Sequence, residues 1–311
     1  MRTRRFFTTG NFDINEEYFH KPEPKDNEIE VQTKIVGICN SDIQMFSGSF
    51  GFPVPKEIQG HEGLGVVSKV GKRVCGVKEG DIVATNADNC FADFYNAPRG
   101  SFVIVDKLDP IYILEPIACA YNILYYLDIH LTAFGKLPGK ILILGSGFLA
   151  KVIAEHLKEY EPLVVGSATP EYWSQKGIEQ IPYLYSEGPP QKYDIVIDLK
   201  GRRMFFDTLI DNDMLNAGCI YIAASQFDEP IRTDLSYLLW KSVLMSCPSP
   251  RGLVDFYSCM HKAKEFVKEK EELVRDIWFP EGYDRNEPES LYRAFNDGFD
   301  GSRQKRGYLV W

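Results

Sequence analysis

Along the first hundred residues, apolar and polar positions alternate in short runs broken by Gly, Pro and Asn. Residues 28–35 read Glu-Ile-Glu-Val-Gln-Thr-Lys-Ile and residues 65–70 read Gly-Val-Val-Ser-Lys-Val. A period of two with frequent turn signals predicts an antiparallel β domain. Lys78-Glu79-Gly80-Asp81 predicts a tight turn before a strand at Ile82-Val83-Ala84. The character of the chain changes at Glu115. From 116 to 129 apolar residues recur at helical spacing, and residues 141–144 form a continuous apolar run that predicts a buried strand. An amphipathic helix is expected over 148–160, with further short apolar strands over 163–165, 193–198 and 218–223. Strands alternating with helices predict a doubly wound parallel sheet covered on both faces. A helical pattern returns over 252–274, and the chain closes with the segment 289–295 and a last strand over 307–310, which is expected to pack back on the first domain.

A chain of 311 residues exceeds what one core usually serves. The patterns divide it into a β domain over 1–117, an α/β domain over 118–248 and a C-terminal segment over 249–311, with a cleft expected between the two domains. The formal net charge of -9 argues against a nucleic-acid or anionic-membrane partner, since either needs a broad basic surface. No apolar run approaches the length that spans a bilayer, and Met1-Arg2-Thr3-Arg4-Arg5 precedes no signal-peptide core, so a cytoplasmic location is expected. Seven cysteines, at 39, 75, 90, 119, 219, 247 and 259, lack paired spacing and fit reduced thiols better than a disulfide framework.

Gly145-Ser146-Gly147-Phe148-Leu149-Ala150 has the form G-x-G-x-x-A between an expected strand and an expected helix. Glycines there permit a tight turn and close approach of the backbone to a pyrophosphate, whose charge meets the helix N-terminus. Where NAD is held by its ribose, an acidic residue follows the second strand. Here that place reads Val165-Gly166-Ser167-Ala168-Thr169, without Asp or Glu, which favours NADP(H) over NAD(H). Lys176 or the Arg202-Arg203 pair would then supply the countercharge. A second group of motifs lies upstream: Gly37-Ile38-Cys39-Asn40-Ser41-Asp42, Gly60-His61-Glu62-Gly63 and Glu115-Pro116. Cys39 and His61 each lie in a Gly-containing turn. A lone Cys is ordinarily a small buried hydrophobe, but a thiolate, an imidazole and a carboxylate from separate segments are the ligand types of an open catalytic zinc site. Asp42 would accept the imidazole N–H and fix its tautomer.

In these motifs, with Gly80-Asp81-Ile82-Val83, the segment from Leu114 to Ala118 and the closing Ala294-Phe295, the chain resembles the zinc-dependent medium-chain alcohol and polyol dehydrogenases. The resemblance implies a GroES-like β domain joined to a Rossmann domain. It implies that Cys39, His61 and Glu115 hold one catalytic zinc, with Glu62 as a fourth or exchanging ligand, and that Ser41 passes the alcohol proton toward solvent. Some relatives place a histidine five residues after the cysteine; this chain has Gln44, so its relay must end in water or another group. Between Asp81 and Glu115 only Cys90 remains of the lobe that holds structural zinc in many members, so a second zinc is not expected. The layout, with Ser249-Pro250-Arg251-Gly252, is most similar to ribitol-phosphate-type dehydrogenases. Arg251 or Arg99 would meet a substrate phosphate or, as the commoner role of such residues, serve as a surface arginine.

The expected activity is interconversion of a small alcohol or polyol with its carbonyl. A zinc-free NADPH-dependent reductase and a silent cofactor-binding relative are the alternatives. The segment 231–247 is where relatives often pair, so a homodimer is expected.

Overall fold

The computed structural model describes all residues except 185–190, 232, 234, 251–254, 279–281 and 302–304. Two strands, β1 (Arg2–Thr8) and β2 (Ile14–His20), form an antiparallel hairpin. They are followed by β3 (Glu28–Gly37), α1 (Asn40–Ser47), β4 (Gly63–Val70), β5 (Ile82–Thr85), β6 (Phe94–Pro98) and β7 (Phe102–Ile104). The Lys78 to Asp81 turn forms before β5, where the Asp81 amide donates to the Lys78 carbonyl and the Lys78 amide to the Asp81 carboxylate.

Helix α2 (Glu115–Phe134) leads into β8 (Ile141–Leu144), α3 (Phe148–Leu157), β9 (Leu163–Val165), α4 (Pro170–Lys176), β10 (Gln180–Ile181), β11 (Tyr193–Asp198), α5 (Arg203–Asp211), β12 (Leu215–Ala223), α6 (Leu235–Trp240) and β13 (Leu244–Ser246). The chain closes with α7 (Phe256–Glu269), α8 (Glu271–Ile277), β14 (Tyr283–Asp284), α9 (Pro288–Phe299) and β15 (Tyr308–Val310). Two compact units result: Met1–Ala118 with Asp255–Trp311, and Cys119–Val254.

In the first unit, β3 is the hub of a largely antiparallel sheet in the order β14-β15-β3-β4-β5-β7, with β6 also paired to β3. The apolar face of this sheet is sealed by α9, whose Leu291, Ala294 and Phe295 are buried at helical spacing. Phe295 packs against Phe6, Phe46 and Phe91 at ring-centroid distances of 6.0, 5.5 and 5.9 Å. Edge and tilted contacts of this kind add to simple apolar burial. The last strand, β15, runs antiparallel to β3 and pairs Tyr308 with Gly37. The C-terminal end of the chain therefore lies beside the residues that precede Cys39.

The second unit holds a six-stranded sheet, β10-β9-β8-β11-β12-β13, parallel throughout. Its strands are nearly continuous apolar runs; Ile141, Leu142, Ile143 and Leu144 are all buried, as a strand covered on both faces requires. In chain order the strands read 3-2-1-4-5-6. The order reverses between β8 and β11, which is where such sheets leave a crevice at their carboxyl ends.

Two local expectations change. A helix not expected from the sequence follows Cys39 over 40–47, and the helix begun at Phe148 ends at Leu157, short of 160, in a single 3-10 turn. The expected helix over 252–274 is observed as α7 and α8 from Phe256; Gly252 and Arg251 lie outside the described residues.

Candidate functional site

The register of β3 against β4 explains why Cys39 and His61, far apart in the chain, meet. These strands are antiparallel neighbours with Val36 opposite Gly63, and the Gly37 amide donates to the Glu62 carbonyl at 3.0 Å. Cys39, two residues past the end of β3, and His61, two before the start of β4, therefore emerge at the same end of the sheet. Cys39 caps α1, and the Asp42 carboxylate accepts the Cys39 amide at 2.9 Å. An acidic group in a first helical turn is favoured by the helix dipole, so this short helix fixes the backbone from which the thiol projects.

The glycines of the motif make the room. A β-carbon at Gly37 would strike the Glu62 carboxylate and stand 3.1 Å from Ile113. Gly60 has φ +73, a left-handed conformation suited to glycine, and faces the Phe91 ring.

One donor atom each from Cys39, His61 and Glu62 lie within 4.8 Å of one another. The imidazole Nε2 is 4.0 Å from Glu62 Oε1. Glu115, at the start of α2, is 2% exposed and adds its charge to His61 and Arg306 without joining the tight trio. Burial opposes protonation of His61, but its hydrogen bond with Cys39 and the negative charges of Asp42, Cys39 and Glu115 prevail and hold it well above the usual imidazole range. Asp42 is buried and pushed up to about 6 by desolvation, against the pull of His61. Its bond goes to the Cys39 amide rather than to the imidazole, and its Oδ1 has no hydrogen-bond partner.

Glu62 is fully buried, and its Oε2 likewise has no partner. Buried carboxylate oxygens are seldom left unmatched. Sulfur, nitrogen and oxygen donors gathered beside such an oxygen could hold a cation, and that donor set suits zinc. Ser41 stands half-buried in the first turn of α1, with Gln44 one turn on.

Arg306 is the residue that sequence reasoning missed. Its guanidinium pairs with Glu62 Oε1 across 244 positions of chain. The attractions of Glu62, Cys39 and Glu115 outweigh its desolvation and raise its pKa. The pairing of β15 with β3 brings it there, since the Ile38 amide donates to the Gly307 carbonyl. The only sequence signal was a cation directly before the closing strand.

A cavity of about 610 Å³ is walled by α1 and the segment leading to His61, including Met45, Phe50, Phe52 and Val54. Its Lys56 is held by Glu17 at 2.6 Å. Cys90 is a buried thiol raised to about 12 by desolvation, and Arg99 is exposed.

In the second unit, Gly145, Ser146 and Gly147 turn the chain from β8 into α3, with Gly147 as N-cap and Phe148 and Leu149 in the first helical turn. The loop after β9 is pinned to this turn: Ser146 Oγ accepts the Ala168 amide at 3.0 Å, and the Gln180 amide donates to the Gly166 and Ala168 carbonyls. Gly166 has φ +151, and a β-carbon there would stand 2.5 Å from Ser146 Oγ. Ser167 is exposed. The cations expected nearby are engaged. Arg203 pairs with Asp207 and Glu229, both at 3.1 Å, Arg202 stands 3.9 Å from Asp228, and Lys176 lies over the Tyr172 ring.

Residues 25–103 match the family model of the alcohol dehydrogenase GroES-like domain. The chain therefore carries a GroES-like domain of the alcohol dehydrogenase type over these residues, together with the Cys-His-Glu cluster and a parallel, Rossmann-like sheet further along. It is 27% identical over 176 residues to D-arabitol-phosphate dehydrogenase of Enterococcus avium, covering 46% of this chain and 49% of that one. It is 40% identical over 78 residues to sorbitol dehydrogenase of Bombyx mori, covering 24% and 22%. The chain thus spans about half the length of the first of these relatives and less than a quarter of the second. Among solved structures, S. aureus TarJ in complex with NADPH matches with a TM-score of 0.78 at 15% identity, over 100% of this chain and 99% of that chain. Galactitol-1-phosphate dehydrogenase from Escherichia coli matches at 0.74 and 13% identity, over 100% of both. At these identities the solved structures establish the fold. Among the described residues no helix is long and apolar enough to cross a membrane.

Proposed function

We propose that this chain is a zinc-dependent NAD(P)(H) oxidoreductase that interconverts an alcohol or polyol with its carbonyl. The observation that carries this reading is the convergence of the Cys39, His61 and Glu62 donors within 4.8 Å beside two buried, unmatched carboxylate oxygens. Cys39 and His61 would hold the metal, with Glu115 and Glu62 as the carboxylate ligands. When bound, zinc supplies the Lewis acid that draws charge from the substrate oxygen, and the nicotinamide supplies or accepts the hydride. Ser41 would move the alcohol proton toward solvent. The relay would end in water at the position of Gln44. Asp42 holds the Cys39 backbone, and Arg306 holds Glu62 while it is not a ligand. The turn at Gly145, Ser146 and Gly147, with Phe148 and Leu149, would bind the cofactor pyrophosphate through backbone amides.

NADP(H) is favoured over NAD(H), because the loop at Gly166 and Ser167 carries no acid to repel a 2′-phosphate, and Ser146 fills the space a side chain at 166 would need. A phosphorylated polyol is included in the substrate class, as the names of the relatives suggest. A homodimer is supported by β13, the edge of the parallel sheet, and by Leu235, Leu239 and Trp240 on α6, exposed at 72%, 74% and 84%. Apolar exposure of this kind beside an open strand edge marks an association surface.

The test is zinc per chain in protein purified without added metal, beside a Cys39→Ala variant. About one zinc in the parent and little in the variant is expected. Absence of bound zinc in the parent after reconstitution overturns the reading.

A further inference from the structure

We propose that Lys200 binds a phosphate of the dinucleotide seated at the Gly145 to Gly147 turn, a role that rests on the cofactor reading above. Strands β8 and β11 are parallel neighbours with Leu144 opposite Asp198. Gly145 and Lys200 therefore both leave the carboxyl ends of adjacent strands, at the point where the strand order reverses. The space beside the Gly145 α-carbon is filled by Leu199 Cβ and Lys200 Cγ, 3.3 and 3.4 Å from where a β-carbon would stand. The lysine stem thus lies along the turn itself.

The turn that carries Lys200 is built rather than loose. Asp198 is fully buried, and one of its carboxylate oxygens accepts the Lys200 and Gly201 amides at 2.9 and 2.8 Å while the other accepts the Tyr221 hydroxyl at 2.7 Å. The Leu199 amide donates to the Leu144 carbonyl at 2.9 Å, tying this segment to the strand before the glycine turn. Three hydrogen bonds on one carboxylate fix where residue 200 starts.

The neighbouring cations are engaged, whereas Lys200 forms no ion pair among the described residues. Arg203 is divided between Asp207 and Glu229, and Arg202 stands near Asp228. Lys200 has no carboxylate among the groups that act on it; desolvation and the positive charge of Arg202 lower its pKa. A lysine whose stem passes the glycine turn, and which among the described residues feels only the charge of the Arg202 cation, gains from an anion brought there.

The experiment is calorimetric titration of the full chain, and of Lys200→Met and Lys200→Arg, with NADPH and with NADH. Both variants are first checked for parental thermal unfolding. Loss of one charge-assisted phosphate contact is expected to weaken binding in Lys200→Met by about ten- to a hundredfold, with Lys200→Arg close to the parent. An equal loss for both nucleotides assigns the contact to the diphosphate. A loss confined to NADPH assigns it to the 2′-phosphate. Parental binding of both nucleotides by a folded Lys200→Met overturns the proposal while leaving the cofactor reading intact. A parent that binds neither nucleotide overturns both.

Discussion

Replacing Arg306 by Met tests whether the metal and the arginine share one task, that of neutralising Glu62. Glu62 has no exposed surface, and the guanidinium of Arg306 is the partner of its Oε1. Methionine keeps much of the apolar stem that packs near Trp278, where the guanidinium carbon lies 5.8 Å from the ring centroid. The loss is therefore mainly that of charge. Removing one member of a buried pair leaves an uncompensated ion and destabilises by about 3–5 kcal/mol. In a unit of this size that is a fall of roughly 10 °C in melting temperature. The measurement is thermal unfolding of parent and variant, each in chelator and in excess zinc. In chelator the variant should melt well below the parent; in zinc the gap should narrow, because a bound dication replaces the missing charge. Adding Glu62→Gln to Arg306→Met should recover much of the loss in chelator by removing the stranded charge. If the single variant melts with the parent in chelator, the pair contributes nothing and the reasoning fails.

Gly166→Asp places a side chain where Ser146 Oγ already stands and forces a residue other than glycine to φ +151. It should lower stability by about 1–3 kcal/mol. Ser146→Gly in the same chain should relieve the steric part only; an unchanged melting temperature in Gly166→Asp would show that the loop yields freely. Asp198 supplies a pH dependence. Desolvation raises its pKa, against the hydrogen bonds from Tyr221, Gly201 and Lys200 that lower it. The folded chain therefore holds this proton more tightly than the unfolded chain. The associated stability is full below the ordinary aspartate value of about 3.9 and is lost as pH rises through the folded pKa. Denaturant titrations across the acid range should show this negative slope in the parent and a flatter one in Asp198→Asn; identical slopes would exclude Asp198 as the source.

How much of this was legible in the sequence depended on how far apart the cooperating residues lie. The run from Ile141 to Leu144, the glycine turn and the first turn of α3 are contiguous, so period and spacing reveal them directly. Cys39 and His61 are separated by 22 positions, but each adjoins a strand with clear alternation, and antiparallel pairing of those strands is enough to bring them together. Helix α1 was not legible, since its buried Asp42, Ile43 and Phe46 span too few turns to establish a period. Arg306 was not legible either, because nothing local distinguishes one arginine near a chain end from another until β15 is paired with β3.

The basic run at Lys200, Arg202 and Arg203 shows a different limit. By charge alone the two arginines are the better phosphate ligands, being always ionised and able to bond in pairs. The fold gives Arg203 to Asp207 and Glu229 and sets Arg202 near Asp228, while the buried Asp198 spends its hydrogen bonds on backbone amides and a tyrosine, so that among the described residues Lys200 pairs with no acid. A sequence shows how many cations a segment carries. Which of them is left to meet a ligand is decided by the carboxylates that folding brings alongside, and here those come from positions up to 26 residues away.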